Sequence, residues 1–144
     1  MNNVTFQINR NELVFIYNRD RNIQQTLFNL FCGREKPDSG LIKTNNKYDK
    51  KLDIMKSDIG IVYKNNILLK DRTLDENLKF ILNIRGFVQS YYFTRIKKVL
   101  NLVDLTDFRD LRPNQLLPHQ VVRANIAQAL LPYPSLLILN NPTS

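Results

Sequence analysis

Short apolar runs alternate along the chain with segments of helical periodicity, and this alternation is the strongest constraint on the fold. Each run is nearly continuous, rich in β-branched or aromatic residues and followed by polar residues, which is typical of a buried strand. The runs span residues 12–17, 59–63 and 135–139. Because helical segments separate them, we expect an α/β domain with a parallel sheet.

The segments between the runs carry apolar residues at helical spacing. Thr73 and Glu76 have the spacing of a capping box, which marks the beginning of one helix. A Lys-Pro-Asp-Ser-Gly turn at 36–40 leads into an expected exposed strand at 41–44. Helices are expected at 23–31, closed by Gly33; at 74–82, ending near Gly86; at 92–103; and at 119–131, after Pro118.

Composition excludes several classes of protein. The chain has 144 residues, 43% of them hydrophobic, which is enough for one domain with a core. It has no run of eighteen apolar residues and no basic region followed by an apolar stretch, so neither a membrane span nor a secretory signal is expected. The net charge is +8, but the basic residues are scattered, so nucleic-acid binding is not expected. The single cysteine, Cys32, is expected to be a small buried hydrophobe.

Five segments resemble, in order, those of one ATPase family. Residues 11–15 match the strand before its phosphate loop, and 36–40 match the turn that follows. The segment Asp-Arg-Thr-Leu-Asp-Glu-Asn at 71–77 is the most branch-specific match. Arg123, residues 126–127 and residues 129–130 match the helix after the signature motif, and 134–137 match the strand that carries Walker B. The chain is thus similar to ATP-binding cassette (ABC) ATPases, and closest to the FtsE-type cell-division branch.

This resemblance implies a P-loop NTPase-like (RecA-like) parallel sheet with an inserted α-helical subdomain. The α/β core would comprise 1–70 and 132–144, and the helical subdomain 71–131 with a degenerate signature region. The ABC fold would be incomplete, since the chain begins near the strand before the phosphate loop and stops before the last strands. An open sheet edge favours a partner or self-association.

The resemblance places the phosphate loop (Walker A) at 18–26, where the family's residues are replaced. Such a loop needs glycines that let backbone N–H groups turn inward, a lysine for the phosphates and a hydroxyl for magnesium. A β-branched residue at the second glycine is strained if it keeps that geometry. Glutamine in place of the lysine removes a charge-assisted contact, and Asp20 adds negative charge. The degenerate positions are Asn18, Ile23, Gln24 and Gln25. Thr26 carries a hydroxyl, but it stands one position after the place of the motif's hydroxyl residue.

The other positions of the implied site are altered as well. Lys64 stands at the Q-loop glutamine, and Asn140 and Asn141 replace the Walker B aspartate and the glutamate that activates water. The signature positions are Leu117, Pro118, His119 and Gln120. Proline has no N–H to donate there, and His119 is interpreted as a helix-start or surface residue.

From these replacements we expect no catalytic residues, no ATP hydrolysis, no cofactor and no metal. The leading hypothesis is a non-catalytic, cytoplasmic ABC-like module that binds an active ABC subunit or an FtsX- or transporter-type membrane protein. The partner would dock near 64–69 and hold the module at the membrane. The alternative is an ATP-binding subunit of an ABC transporter or FtsEX-like complex that still binds nucleotide, including weak ATP binding without hydrolysis. An unorthodox ATPase and a product without a retained role also stay open.

Overall fold

The structure is a computed structural model that describes residues 4–44, 47–49 and 59–141. The chain divides into an N-terminal unit, Met1–Asp53, and a C-terminal unit, Ile54–Ser144. Within the described ranges, no helix is both long and apolar enough to cross a membrane. The division into a core and a helical subdomain at 71–131 stays a prediction.

The described residues of the N-terminal unit form one helix and a short antiparallel pair of strands. Helix α1 spans Arg21–Phe31, and Asp20 caps its N-terminus. Gly33 follows it with a φ of 66°, and its N–H donates to the Leu30 carbonyl at 3.1 Å. Glycine adopts this left-handed conformation without strain, so the predicted closure is confirmed. Strand β1, Ile42–Thr44, confirms the expected strand and pairs with β2, Lys47–Asp49.

The predicted buried strand at 12–17 is wrong. These residues belong to no strand, and Leu13, Phe15 and Tyr17 are 75%, 86% and 81% exposed. A strand forms only where its N–H and C=O groups meet a neighbouring strand. The sheets of the described residues contain no ladder for this segment. Apolar composition alone therefore did not determine its structure.

The C-terminal unit contains the parallel pair that the sequence predicts. Strand β3 spans Ile59–Val62 and pairs in parallel with β4, Leu136–Leu139, with Ile59 opposite Leu136. The fold class of an α/β protein with a parallel sheet is thus confirmed. β3 is fully buried, but β4 is only half-buried, and the expectation of a buried β4 is wrong. Among the described strands, β4 has β3 as its sole neighbour.

Three longer helices form at the segments that the periodicity predicts. They are α2, Leu74–Ile84; α3, Tyr92–Leu102; and α4, Pro118–Leu130. These helices pack on one another, and α4 packs against β3. Three short 3-10 helices lie between them at Gln89–Tyr91, Thr106–Phe108 and Pro113–Gln115. Gly60 in β3 lets α4 approach closely, because an added Cβ would lie 2.5 Å from the Ala129 carbonyl oxygen.

The capping box at the beginning of α2 is confirmed. The Glu76 N–H donates to the Thr73 hydroxyl at 3.2 Å, and the Thr73 N–H donates to the Glu76 carboxylate at 2.7 Å. The next two N–H groups, of Leu74 and Asp75, donate to the carbonyls of Leu111 and Arg109. The N-terminal donors that a helix leaves without partners are therefore bound within the C-terminal unit.

A single apolar cluster stabilises this unit. Burying one leucine side chain contributes about 1.5–3 kcal/mol, so such a cluster provides most of the driving force for folding. Its members come from α2, α3, α4 and the segments that flank these helices: Leu68, Leu74, Leu78, Leu82, Ile96, Val99, Leu100, Leu105, Leu116, Ala124, Ala127 and Leu131.

Candidate functional site

The predicted phosphate loop is closed on itself by hydrogen bonds. The Asp20 N–H donates to the Asn18 side-chain oxygen at 2.8 Å, and the Asn22 N–H donates to the Asp20 carboxylate at 2.8 Å. The Gln24 side-chain amide donates to the Asn18 carbonyl at 2.6 Å. Asparagine and aspartate favour such local bonds over other backbone structure. The loop therefore forms the capped N-terminus of α1 rather than an open ring of N–H groups.

The residues at the two glycine positions of the motif, Asn18 and Ile23, do not adopt a left-handed backbone conformation. The described non-glycine residues with positive φ are Asn11, Asp104, Tyr133 and Asn141, and neither Asn18 nor Ile23 is among them. Because α1 begins at Arg21, Ile23 already has helical backbone. The strain that the sequence suggested at Ile23 is thus absent.

The two positions after Gln24 lie on α1. The Gln25 side chain donates to the Asn29 side-chain oxygen at 2.9 Å, one helical turn further on. Thr26 is exposed. Both positions therefore face solvent on the first turns of the helix.

The structure brings the Q-loop and Walker B positions to one edge of the sheet. Lys64 follows β3 after one intervening residue and is exposed, and Asn140 directly follows β4. The Asn140 N–H donates to the Val62 carbonyl at 2.9 Å, which extends the pairing of the two strands by one bond. Asn141 comes next with a φ of 46°. Ligands of open α/β sheets bind at such carboxyl ends of parallel strands.

The signature positions lie at the N-terminal end of α4. Leu117, Pro118 and His119 are exposed, while Gln120 is buried and accepts the Leu117 N–H at 2.8 Å. The C-terminal end of α4 is the end that contacts β3, at Ala129. At 1.5 Å per residue, His119 is roughly 15 Å further along the helix axis. Within the C-terminal unit, the signature positions thus lie at the opposite end of α4 from the contact between Gly60 and Ala129.

Two buried asparagines, which the sequence analysis missed, hold the segment after β3. The Asn77 side-chain oxygen accepts the Leu69 N–H at 2.7 Å, and its amide donates to the carbonyls of Leu69, Arg72 and Thr73. Asn125 on α4 accepts the Ile67 N–H at 3.5 Å. Asn77 falls on the apolar stripe of α2, three residues after Leu74. A polar residue on such a stripe is the signal that predicts a buried hydrogen-bonding role.

A groove of about 720 Å³ lies within the C-terminal unit between α2, α3 and Arg109. At its wall, the buried Asp75 carboxylate pairs with Arg109 at 2.9 Å and with Lys79 at 2.6 Å. The apolar lining comes from Phe80, Phe87, Tyr92 and Phe93. The groove therefore combines aromatic surface with charges that are already paired.

No alternative metal or thiol site is found in the part of the chain that the structure describes. It contains no group of three or more histidine, cysteine, aspartate or glutamate residues that could hold a metal ion. Burial raises the pKa of the Cys32 thiol to about 11, against the opposing effect of the Arg34 charge. Cys32 stays protonated at neutral pH and is a buried hydrophobe, as predicted.

Comparison with known proteins identifies the family. A family model of the ABC transporter matches residues 1–144, so this chain belongs to the ABC transporter ATPase family and has its P-loop NTPase fold. The chain is 31% identical over 142 residues to the probable sulfate/thiosulfate import ATP-binding protein CysA of Chlorella vulgaris. It is 33% identical over 147 residues to the methionine import ATP-binding protein MetN 2 of Paraburkholderia xenovorans. These alignments cover 99% of the chain but 60% and 38% of the two relatives, so the chain spans about two to three fifths of their length.

A solved structure agrees with this assignment. The dimeric ATP-binding cassette MJ0796, in a post-hydrolysis state bound to ADP and Pi, matches with a TM-score of 0.70 and 25% identity. The match covers 83% of this chain and 56% of that one.

These findings contradict two expectations from the sequence, that the chain is not an enzyme and that it takes no cofactor. The relatives are named as ATP-binding proteins, and the solved neighbour holds ADP and Pi. The expectations were wrong because they equated lost side chains with lost activity. Much of a phosphate cradle consists of backbone N–H groups, which a substitution does not remove.

The loop as it stands nevertheless does not fit a phosphate group. The N–H groups of Asp20 and Asn22 and the side-chain amide of Gln24 bond within the loop. The carboxylate of Asp20 also repels an anion at the helix N-terminus.

Proposed function

We propose that the chain is an ATP-binding subunit, or the nucleotide-binding part of one, in an ABC transporter. The observation that carries the proposal is the family match across residues 1–144, with relatives named as import ATP-binding proteins. The substrate of such a transporter would cross the membrane through a separate membrane subunit. Another chain of the same family would complete a dimer, as in the dimeric solved neighbour.

The chain's own residues support a role in docking to that membrane subunit. The segment 64–69 exposes Ile67 and Leu69, which are 43% and 38% accessible to solvent. The side chains of Asn77 and Asn125 fix its backbone from α2 and α4. A rigid, partly apolar surface next to the carboxyl end of β3 suits a short helix of a membrane protein, because a preformed surface loses little entropy on binding.

Nucleotide binding and docking can be tested separately. A saturating nucleotide stabilises the protein that binds it, by about 2.7 kcal/mol at a hundred times its dissociation constant. We expect Mg-ATP to raise the melting temperature of the full chain. Absence of any shift at millimolar Mg-ATP would contradict the nucleotide part of the proposal.

Docking is tested by site-specific photo-crosslinking in the native membrane. A crosslinker at Ile67 should capture a membrane-embedded protein. The matched control is a crosslinker at Leu102, which is 72% exposed at the end of α3. Equal labelling from both positions would count against a docking surface at 64–69.

A second candidate is an FtsE-type subunit of a cell-division complex with an FtsX-type partner. The segment Asp-Arg-Thr-Leu-Asp-Glu-Asn at 71–77 favours it. The identity of the membrane protein captured from Ile67 distinguishes this candidate from a transporter subunit.

A further inference from the structure

The segment 84–93, called here the α2–α3 turn, exposes four large apolar side chains. They are Ile84, Val88, Tyr91 and Phe93, which are 44%, 64%, 61% and 62% accessible to solvent. The Tyr91 N–H donates to the Val88 carbonyl at 3.0 Å, so these two residues lie three positions apart on one face of a 3-10 turn. Exposed apolar side chains that cluster in this way mark a surface that contacts a partner or a membrane.

The backbone of the α2–α3 turn is fixed within the C-terminal unit. The N–H groups of Gly86 and Phe87 donate to the carbonyls of Asn83 and Leu82, both at 3.0 Å. The Arg95 guanidinium lies 4.2 Å from the centre of the Phe87 ring, so Phe87 packs on α3. The exposed side chains therefore extend from a preformed backbone, which lowers the entropic cost of binding.

The sequence around the turn carries positive charge alone. Residues 77–103 contain five lysine and arginine residues and neither aspartate nor glutamate. Lys97 and Lys98 are exposed on α3, and no carboxylate of the described residues forms an ion pair with either of them. The next acidic residue along the chain, Asp104, pairs with Arg123 at 3.3 Å. Unpaired cations close to exposed apolar side chains favour an anionic lipid surface.

We propose that the α2–α3 turn docks on the headgroup region of an anionic membrane. Val88 and Tyr91 insert between the headgroups, and Lys97 and Lys98 bind lipid phosphates. Tyrosine suits this depth, because its ring is apolar and its hydroxyl hydrogen-bonds to water. Val88 and Tyr91 project from a turn and do not line the groove between α2 and α3, so they fit a deformable lipid layer. This contact is additional to the docking segment at 64–69.

The test uses the full chain and vesicles of phosphatidylcholine, with and without phosphatidylglycerol, in a sedimentation assay. We expect binding to the anionic vesicles to be tighter by about ten-fold or more and to weaken as salt increases, because salt screens exposed charges. Lys97→Gln combined with Lys98→Gln should weaken this binding about ten-fold. The matched control, Lys36→Gln combined with Lys70→Gln, removes the same charge from exposed positions outside the turn and should weaken it less than about two-fold.

A tryptophan reporter locates the contact. The chain has no tryptophan, so Tyr91→Trp introduces a single reporter in the turn and keeps an amphipathic ring. Its fluorescence should shift to the blue and be quenched by vesicles that contain brominated lipid. Leu102→Trp is the control, because Leu102 is exposed at the other end of α3, roughly 16 Å along the helix axis. We expect no quenching of this second reporter.

Each outcome decides the inference. Equal binding to neutral and anionic vesicles, or binding to neither, overturns it. Equal losses from the two lysine pairs also overturn it, since general charge would then be the cause. Equal quenching in the Tyr91→Trp and Leu102→Trp variants would show that the turn is not the contact. Because none of these measurements involves nucleotide, failure of the inference leaves the proposed function standing.

Discussion

The two units of the chain differ in how far their elements depend on distant neighbours. In the C-terminal unit, α2 carries its own capping box and packs on the apolar cluster. In the N-terminal unit, the apolar segment 12–17 is exposed and has no neighbouring strand among the residues that the structure describes. A capped amphipathic helix is largely specified by nearby residues, whereas a strand is specified by the strand beside it.

The comparison predicts that identical leucine truncations have very different costs in the two regions. Leu78 is fully buried in the cluster, so Leu78→Ala should lower the free energy of unfolding by about 2–5 kcal/mol. Urea denaturation followed by circular dichroism measures this loss. A loss below about 1 kcal/mol would show that the cluster around α2 is not packed as described.

Loss of the Asn77 side chain should have the next largest effect. Asn77→Ala removes the four hydrogen bonds of a fully buried side chain, among them the acceptor of the Leu69 N–H, which costs about 1–3 kcal/mol. Hydrogen exchange should show faster exchange at Leu69 than in the natural chain. Asn83→Ala, an exposed asparagine on the same helix, is the control and should change the unfolding free energy by less than about 0.5 kcal/mol. Similar effects of the two variants would refute the clamping role of Asn77.

The helix cap at Thr73 should contribute less. Thr73→Ala removes the acceptor of the Glu76 N–H and should lower stability by about 1 kcal/mol, measured by urea denaturation. Thr73→Ser keeps the hydroxyl and should restore most of this loss. If serine is as destabilising as alanine, the capping box is not the source of the effect.

The exposed N-terminal segment should show the smallest effect. Leu13 is 75% exposed, so Leu13→Ala should change stability by less than about 0.5 kcal/mol. Leu13→Ala removes the same atoms as Leu78→Ala, and urea denaturation measures the cost of both. A cost close to that of Leu78→Ala would mean that the segment is buried, as its composition predicted.

Much of the C-terminal unit was predictable because its signals are local. The Thr73 cap, the leucine spacing of α2 and the apolar run of β3 each follow from neighbouring residues. The segment 12–17 and the half-burial of β4 were not predictable, since both depend on which strands lie alongside.

The strands beside the predicted site positions were predictable, but the conformation of the loop at 18–24 was not. The sequence predicted the two parallel strands that precede Lys64 and Asn140, and the roles of these two residues stay predictions. It did not reveal that Asn18, Asp20 and Gln24 bond to one another, because a comparison of motif positions considers each residue alone.

The account depends most on nucleotide binding, and calorimetric titration of the full chain with Mg-ATP tests it most directly. We expect saturable heat with one nucleotide per chain. Heat no greater than that of dilution, with the chain folded, would contradict an ATP-binding role.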